Sequence, residues 1–175
     1  MHKIPFIGAH GIRKTTYCHE IIFNLKKRGI NADYLGEVAR DSPFPVNEET
    51  TEHSQRWILH TQISRELEFE SRNPDVLVCD RGVLDNYAYY VRAFGRNPVL
   101  DALVREHSRT YSAIFKIPVT NLDIEDDGFR STSKSFQKEI DDIVDSLLSE
   151  FRIKYISFRN IESTLRHITS EVLGR

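Results

Sequence analysis

A short glycine-containing segment near the start of the chain has the residue types needed to hold a phosphate. It reads G-A-H-G-I-R-K-T-T, directly after an apolar run and before residues at helical spacing. Phosphate binding needs backbone N–H groups at a helix N-terminus, a lysine that reaches the outer oxygens, and a hydroxyl for magnesium. The residues predicted to contact the phosphates are Gly8, His10, Gly11, Ile12, Arg13, Lys14, Thr15 and Thr16. The alternative is a glycine turn that only links a strand to a helix.

Arg13 is the one departure from the P-loop pattern G-x-x-x-x-G-K-[ST], because it stands where the pattern has its second glycine. A β-carbon there costs about 1–2 kcal/mol if the backbone φ is positive. Gly11, two positions earlier, can partly relieve the loop. Arg13 can hinder the nucleotide or add a positive charge to the phosphate site, and the sequence leaves both readings open.

Two charged residues follow the second apolar run at a spacing of three. Glu37 can accept the proton of an attacking hydroxyl, and Arg40 can hold an anionic substrate. The alternative is an ion pair on the surface.

Asp80 and Arg81 follow the most apolar run of the chain, V-L-V-C. Asp80 is predicted to order magnesium together with Thr15, and it is the alternative to Glu37 as the catalytic group that orients the attacking hydroxyl. Arg81 is predicted to stabilise the transferred phosphoryl group. A buried arginine needs a partner, and Asp85 is the candidate for a purely structural pair. The histidines have no metal-ligand spacing, so Thr15 and Asp80 are the only metal ligands expected.

Two further residues are candidates at the edges of the site. Arg130 lies in an acidic segment predicted to form a lid over about 122–134, where it could close over phosphates and exclude water. The alternative is a solvated loop arginine. Trp57 lies on a long predicted helix and is a candidate wall of the substrate pocket, although core packing explains it equally well.

The elements that must position these residues alternate between strand and helix. Apolar runs predict strands over 3–8, 32–36, 76–79, 112–118 and 153–158, and helical spacing predicts helices after each of them. This pattern predicts one α/β domain over residues 1–175, with a parallel sheet covered by helices on both faces. Ligands then bind beyond the carboxyl ends of the strands.

Composition limits the partners of the chain. The formal net charge is −2, without a long run of one sign, so no nucleic-acid or membrane surface is expected. Cys18 and Cys79 are expected to be buried reduced thiols, which suits a cytoplasmic protein. The first residues are too short an apolar run for a signal peptide or a membrane span. A small-molecule substrate is the expected partner, and a homodimer is one of the assemblies left open.

Taken together, the segments GAHGIRKTT, EVAR, VLVCDRGVLDNYAYY and DDGFR resemble small P-loop proteins of the nucleoside and nucleotide kinase group. Asp80-Arg81 with Tyr87-Ala88-Tyr89 resembles thymidylate kinases, and Glu37 resembles the base of deoxynucleoside kinases. The whole arrangement is similar to the AAA-type ATPase/kinase-like domain that nicotinamide riboside kinases also contain.

This resemblance implies a three-layer P-loop NTPase fold with a five-stranded parallel sheet in the order 2-3-1-4-5. It implies ATP and Mg²⁺ at Gly8, Gly11, Lys14, Thr15 and Asp80. It also implies an acceptor near Glu37, Arg40, Trp57 and Arg81, and a lid arginine at Arg130. The leading hypothesis is therefore a kinase that transfers the γ-phosphate of ATP to a small-molecule hydroxyl or phosphate. An ATPase or nucleotide-controlled switch without an acceptor, and a binding module disabled by Arg13, are the alternatives.

Overall fold

The computed structural model describes residues 1–46, 49–119 and 132–175, and a parallel sheet forms its centre. The strands are β1 (His2–Ile7), β2 (Ala32–Leu35), β3 (Val76–Asp80), β4 (Phe115–Lys116) and β5 (Ile156–Ser157). Their spatial order is β2-β3-β1-β4-β5 and every pair is parallel. This confirms the predicted fold class and strand order.

Helices cover both faces of the sheet. They are α1 (Lys14–Lys27), α2 (Glu52–Arg72), α3 (Val83–Phe94), α4 (Pro98–Ser108), α5 (Lys134–Glu150) and α6 (Ile161–His167). A 3-10 turn follows β2 over Val38–Asp41, and α6 continues as a wider π-helical turn over Ile168–Val172, which the sequence predicts as one regular helix. No helix within the described residues is both long and apolar enough to span a membrane.

The core consists of apolar clusters on the two faces. One cluster joins Tyr87 and Leu84 of α3 to Ile140 and Leu147 of α5, and all four are almost completely buried. The opposite cluster packs the apolar residues of α1 and α6 against β1, β3 and β4. Cys18 and Cys79 are buried free thiols, as expected, and burial raises the pKa of both well above its ordinary value.

The strand register brings the functional segments to one edge of the sheet. Phe6 of β1 pairs with Asp80 of β3, and Leu35 of β2 pairs with Cys79. Because the strands are parallel and in step, the loops that follow them start at the same level. The glycine loop, the segment at Glu37 and the segment at Arg81 therefore meet at the carboxyl edge.

The last two strands are shorter than the sequence predicts, with two residues each instead of the runs 112–118 and 153–158. Lys3 pairs with Tyr111, and Phe6 pairs with Phe115. The two pairs are three residues apart in β1 but four residues apart in the segment that leads into β4. One extra residue interrupts the ladder, as in a β-bulge. Strand β5 pairs only with β4, and only the two residues of β4 form its ladder.

Candidate functional site

The glycine loop between β1 and α1 is closed around its own lysine. The ammonium of Lys14 donates to the carbonyl of Gly8 at 2.9 Å and to the carbonyl of Ala9. Gly8 has a φ of 136°, and a β-carbon there would lie 2.8 Å from the Ile117 carbonyl oxygen, so only glycine fits. The side chain of Lys14 is buried. Phosphate oxygens of a ligand can replace the two carbonyls as acceptors of its hydrogen bonds.

Helix α1 begins without a side-chain cap, unlike α2, α4, α5 and α6; α3 also lacks one, because it begins at Gly82. Thr51, Asn97, Ser133 and Asn160 each cap a helix by accepting a backbone N–H with a side-chain oxygen. At α1 the capping position is Arg13, which makes no such hydrogen bond. The first N–H groups of α1 therefore have no side-chain cap from that position and face the loop, where an anion can accept from them.

Arg13 has the backbone conformation that the P-loop pattern reserves for glycine. Its φ is 62° and its ψ is 24°, in the left-handed region, and its side chain is exposed. The strain foreseen from the sequence is therefore present, at about 1–2 kcal/mol for a non-glycine residue. The loop nevertheless adopts its turn with arginine in place.

Thr15 and Asp80 lie together, as the two predicted metal ligands must. The hydroxyl of Thr15 donates to Asp80 Oδ2 at 2.5 Å, and the hydroxyl of Tyr34 donates to the same oxygen at 3.3 Å. A hydroxyl and a carboxylate are hard oxygen ligands of the kind that Mg²⁺ prefers, so these residues fit that ion. The described residues hold no group of three or more His, Cys, Asp and Glu that could bind a metal ion.

Arg81 is the centre of a buried ion cluster. Its Nε donates to Glu37 Oε1 at 2.7 Å, and its Nη1 donates to Asp85 Oδ2 at 3.3 Å and to the Gly8 carbonyl at 3.4 Å. Its guanidinium lies 5.1 Å from the centre of the Tyr89 ring. The backbone of Arg81 is held at a φ of 90°. Such strain persists only where surrounding contacts over-determine it, and it is typical of functional turns.

Asp85 holds the turn after Arg81 in place. Its Oδ1 accepts the backbone N–H of Gly82 at 2.8 Å, and burial raises the pKa of its carboxyl, although Arg81 and Lys14 oppose that shift. The structural pair foreseen from the sequence is therefore present. Arg81 also contacts the glycine loop and Glu37, so its pair with Asp85 is only one of its interactions.

Glu37 is bound by arginines on both of its oxygens. Oε1 accepts from Arg81, and Oε2 accepts from Arg40 Nε at 3.1 Å. Glu37 is 8% exposed, so this is not the surface ion pair that the sequence leaves as an alternative. To act as a base, the carboxylate must exchange one guanidinium for a substrate hydroxyl.

Lys14 carries its charge at an energetic cost. Burial, together with the nearby charge of Arg81, lowers the pKa of Lys14 from 10.5 to about 8, while Asp85, Asp80 and Glu37 act in the opposite direction. Added negative charge at the loop would restore an ordinary pKa. The site is therefore matched to an anionic ligand.

The remaining predicted loop residues have different positions. His10 is buried, its Nδ1 lies 3.1 Å from the Tyr89 hydroxyl, and its carbonyl accepts from Gln137. Ile12 packs into the apolar cluster under α1, and Thr16 is exposed on the first turn of that helix. The side chain of Ile12 is therefore structural, and only its backbone can serve a phosphate.

Two predicted residues are not brought into this cluster by the described contacts. Trp57 packs against the apolar cluster between α2 and β2, as the core-packing alternative expects, and Ala39 and Val46 pack against the same cluster. Arg130 lies outside the described residues, as does most of the predicted lid over 122–134. The last lid residues, Ser133 and Lys134, belong to the start of α5 instead, where Ser133 is the N-cap.

Sequence reasoning missed Tyr34 and understated Tyr89. Tyr34 contacts Asp80 across the sheet, and burial followed by the charge of Asp80 raises the pKa of its hydroxyl strongly. Of the tyrosine pair in α3, Tyr89 faces the site, while the hydroxyl of Tyr87 donates to Asp101 at 2.6 Å. An available signal for Tyr34 was its place one residue before the end of a strand beside β3.

The sheet order, the glycine loop with Lys14, and Asp80 beside Thr15 define the class of P-loop NTPase-like proteins. A family model described as an AAA domain matches residues 3–163, which is most of the chain. The chain belongs to this family, and its members generally bind nucleotide with Mg²⁺. No curated protein matches the chain.

Proposed function

We propose that the protein is an ATP- and Mg²⁺-dependent phosphotransferase that acts on a small molecule. The observation that carries this proposal is the ion cluster of Glu37, Arg40 and Arg81 beside the glycine loop. Hydrolysis of ATP needs the loop, a magnesium site and a group that orients the attacking water, but no pocket for an organic acceptor. A second group of cations and a carboxylate, joined to the loop through the Gly8 carbonyl, is what an acceptor pocket requires.

The side chains divide into two functional groups. Lys14 and the uncapped N-terminus of α1 bind the phosphates, while Thr15 and Asp80 hold the Mg²⁺, which neutralises phosphate charge when bound. Arg81 lies between the two groups and stabilises charge on the transferred phosphoryl group. Glu37 orients the acceptor hydroxyl and receives its proton once that hydroxyl replaces a guanidinium. Arg40 holds the anionic part of the acceptor.

A second candidate function is an ATPase or nucleotide-binding protein without an acceptor. The left-handed conformation of Arg13 favours it, because an arginine side chain stands at the position where phosphates approach the loop most closely. In this case the Glu37 cluster only stabilises the turn after β3.

Titration calorimetry with Mg-ATP and Mg-GTP, followed by coupled detection of ADP, separates these candidates. The acceptor panel contains nucleosides, nucleoside monophosphates and small vitamin-like alcohols. Acceptor-stimulated release of ADP supports the phosphotransferase. Binding with release that no acceptor changes supports the ATPase, and the absence of binding would overturn both. An Asp80→Asn variant serves as the control for magnesium dependence.

The Arg13→Gly variant should bind Mg-ATP more tightly, by roughly 3- to 10-fold. Glycine keeps the left-handed turn without strain and lets the backbone approach the phosphates. Calorimetry on the parent and the variant measures this, and Arg13→Gln is the matched control because it removes the charge but keeps the β-carbon. Equal or weaker binding by Arg13→Gly would show that the arginine is accommodated or contributes its charge to the phosphates.

The Glu37→Gln variant should lose about 10²- to 10⁴-fold in acceptor-stimulated turnover. Its affinity for Mg-ATP should change less than about 3-fold, because the hydrogen bonds described for Glu37 are to Arg81 and Arg40, and Lys14 binds the phosphates. Asp41→Asn is the matched control, since Asp41 is an exposed acid on the neighbouring turn that pairs with Arg65. A Glu37→Gln enzyme with turnover close to that of the parent would exclude Glu37 as the base.

A further inference from the structure

We propose that a basic cleft at the opposite end of the sheet binds a small phosphorylated metabolite. The cleft is a cavity of about 460 Å³ between the C-terminal ends of α4 and α5. It lies at the amino edge of the sheet, because its lining residue Tyr111 pairs with Lys3 at the start of β1. The glycine loop follows the other end of the same strand, so this second site is separate from the first.

The charge of the cleft is strongly one-sided. Arg105, Arg109, Arg152 and Lys154 line it, and no acidic residue is among the lining residues. Arg109 pairs with Glu106 at 2.7 Å. Within residues 1–46, 49–119 and 132–175, the other three cations form no ion pair. A chain of net charge −2 thus has three uncompensated cations around one cavity.

Helix dipoles do not account for this charge. The C-terminal ends of α4 and α5 each bring about half a negative charge to the cleft, which is about one charge in total. Three uncompensated cations leave an excess of roughly two positive charges after that correction. An excess of this size matches the charge of a phosphate group at neutral pH.

Arg152 supplies an independent observation. It follows the end of α5 at a φ of 55°, and the next residue, Ile153, donates to the Leu148 carbonyl at 2.9 Å, which closes the helix. Glycine fits this left-handed position without strain, and α1 has Gly29 at a φ of 76° at its own end. At α5 a cation occupies the strained position instead, on the rim of the cavity. Such strain points to a function for the side chain.

One of the cations of the cleft stacks on an aromatic ring. The Arg105 guanidinium lies 4.9 Å from the centre of the Phe151 ring, and Arg96 lies 5.2 Å from that ring. Stacking on an aromatic ring lowers the entropy that an arginine loses when it binds a phosphate. A volume of about 460 Å³ lies within the usual range for small-molecule sites, so the ligand is a metabolite and not an extended chain.

The test uses pyrophosphate as the probe, with citrate as a polyanion that lacks phosphate. Both are titrated into the Lys14→Met variant of the whole chain, in which the glycine loop binds anions much more weakly. Pyrophosphate should bind to this variant. Adding Arg152→Gly should weaken the affinity for pyrophosphate about 5- to 10-fold. Adding Arg105→Gln and Lys154→Gln as well should abolish binding. The Lys138→Gln change is the matched control, because Lys138 is an exposed lysine of α5 that pairs with Asp142.

The Arg152→Gly variant should not have a lower melting temperature than the parent, because glycine fits the left-handed conformation without strain. A loss of binding in this variant is then not a consequence of unfolding. Binding unchanged in the triple variant, an equal loss with Lys138→Gln, or no binding of pyrophosphate at all would each overturn the proposal. Citrate bound as tightly as pyrophosphate would overturn the choice of a phosphorylated ligand. An acidic peptide that binds where pyrophosphate does not would make the cleft a protein-docking surface.

Discussion

The Lys14→Met variant should lose Mg-ATP binding and at the same time unfold less readily than the parent. The phosphate oxygens lose their only buried ammonium partner in the loop, which should weaken binding at least 100-fold, or about 3 kcal/mol. The free energy of unfolding should rise because the variant no longer buries a charge, and a buried charge with a lowered pKa is unfavourable at neutral pH. A pKa of about 8 instead of 10.5 corresponds to roughly 3 kcal/mol, of which lost hydrogen bonds to Gly8 and Ala9 offset a part.

The sign of the pH dependence follows from the same shift. The folded pKa of Lys14 lies below the unfolded value, so the unfolded chain binds more protons between pH 8 and 10.5. The parent should therefore gain stability from Lys14 as the pH rises through that window. The advantage of the methionine variant should be complete below about pH 8 and shrink towards pH 10.5.

Urea unfolding at several pH values measures this effect, and Lys116→Met is the matched control. Lys116 is also buried, but its ammonium pairs with Asp145 at 2.6 Å and with Asp141 at 3.2 Å. Burial alone lowers the pKa of Lys116, yet these two carboxylates raise it overall. Lys116→Met should therefore destabilise the protein, opposite in sign to Lys14→Met. If both variants lose stability, the strained-charge account of Lys14 is wrong.

The Arg81→Met variant should lose about 3–5 kcal/mol of unfolding free energy, the largest destabilisation that we expect in the molecule. Arg81 lies between Glu37 and Asp85, and removal of the guanidinium leaves two buried carboxylates without their shared cation. Asp85 is completely buried, so water cannot take the place of the guanidinium. Acceptor-stimulated turnover should also fall at least 10³-fold, because Arg81 is the cation between the phosphate loop and Glu37.

Chemical denaturation of a small variant set separates the causes. Adding Asp85→Asn to Arg81→Met should recover part of the lost stability, since the double variant no longer buries that charge. Turnover should not recover in the double variant. Arg92→Met is the control, because Arg92 forms a more exposed pair with Glu139 and should change stability by less than about 1 kcal/mol. A loss for Arg81→Met no greater than that of the control would contradict the buried-cluster account.

Local sequence patterns were sufficient for the order of elements. The buried strand before Asp80 is a continuous apolar run, and such a run between helical patterns has few alternatives to a central parallel strand. Helix α2 begins and ends at the predicted residues because Thr51 caps it and Asn73-Pro74 stops it. The short β4 was not predictable, since the extra residue between Tyr111 and Phe115 depends on its pairing with β1.

For the site, the sequence by itself determined which residues can bind a phosphate, because the glycine loop, Lys14 and Thr15 are neighbours along the chain. It also placed Asp80 and Glu37 at strand ends. Only the tertiary structure decided their partners. The contact between Arg81 and Glu37 spans 44 residues, and that between Tyr34 and Asp80 spans 46. Strand register and burial set those distances and the pKa of Lys14, and neither can be read from local spacing.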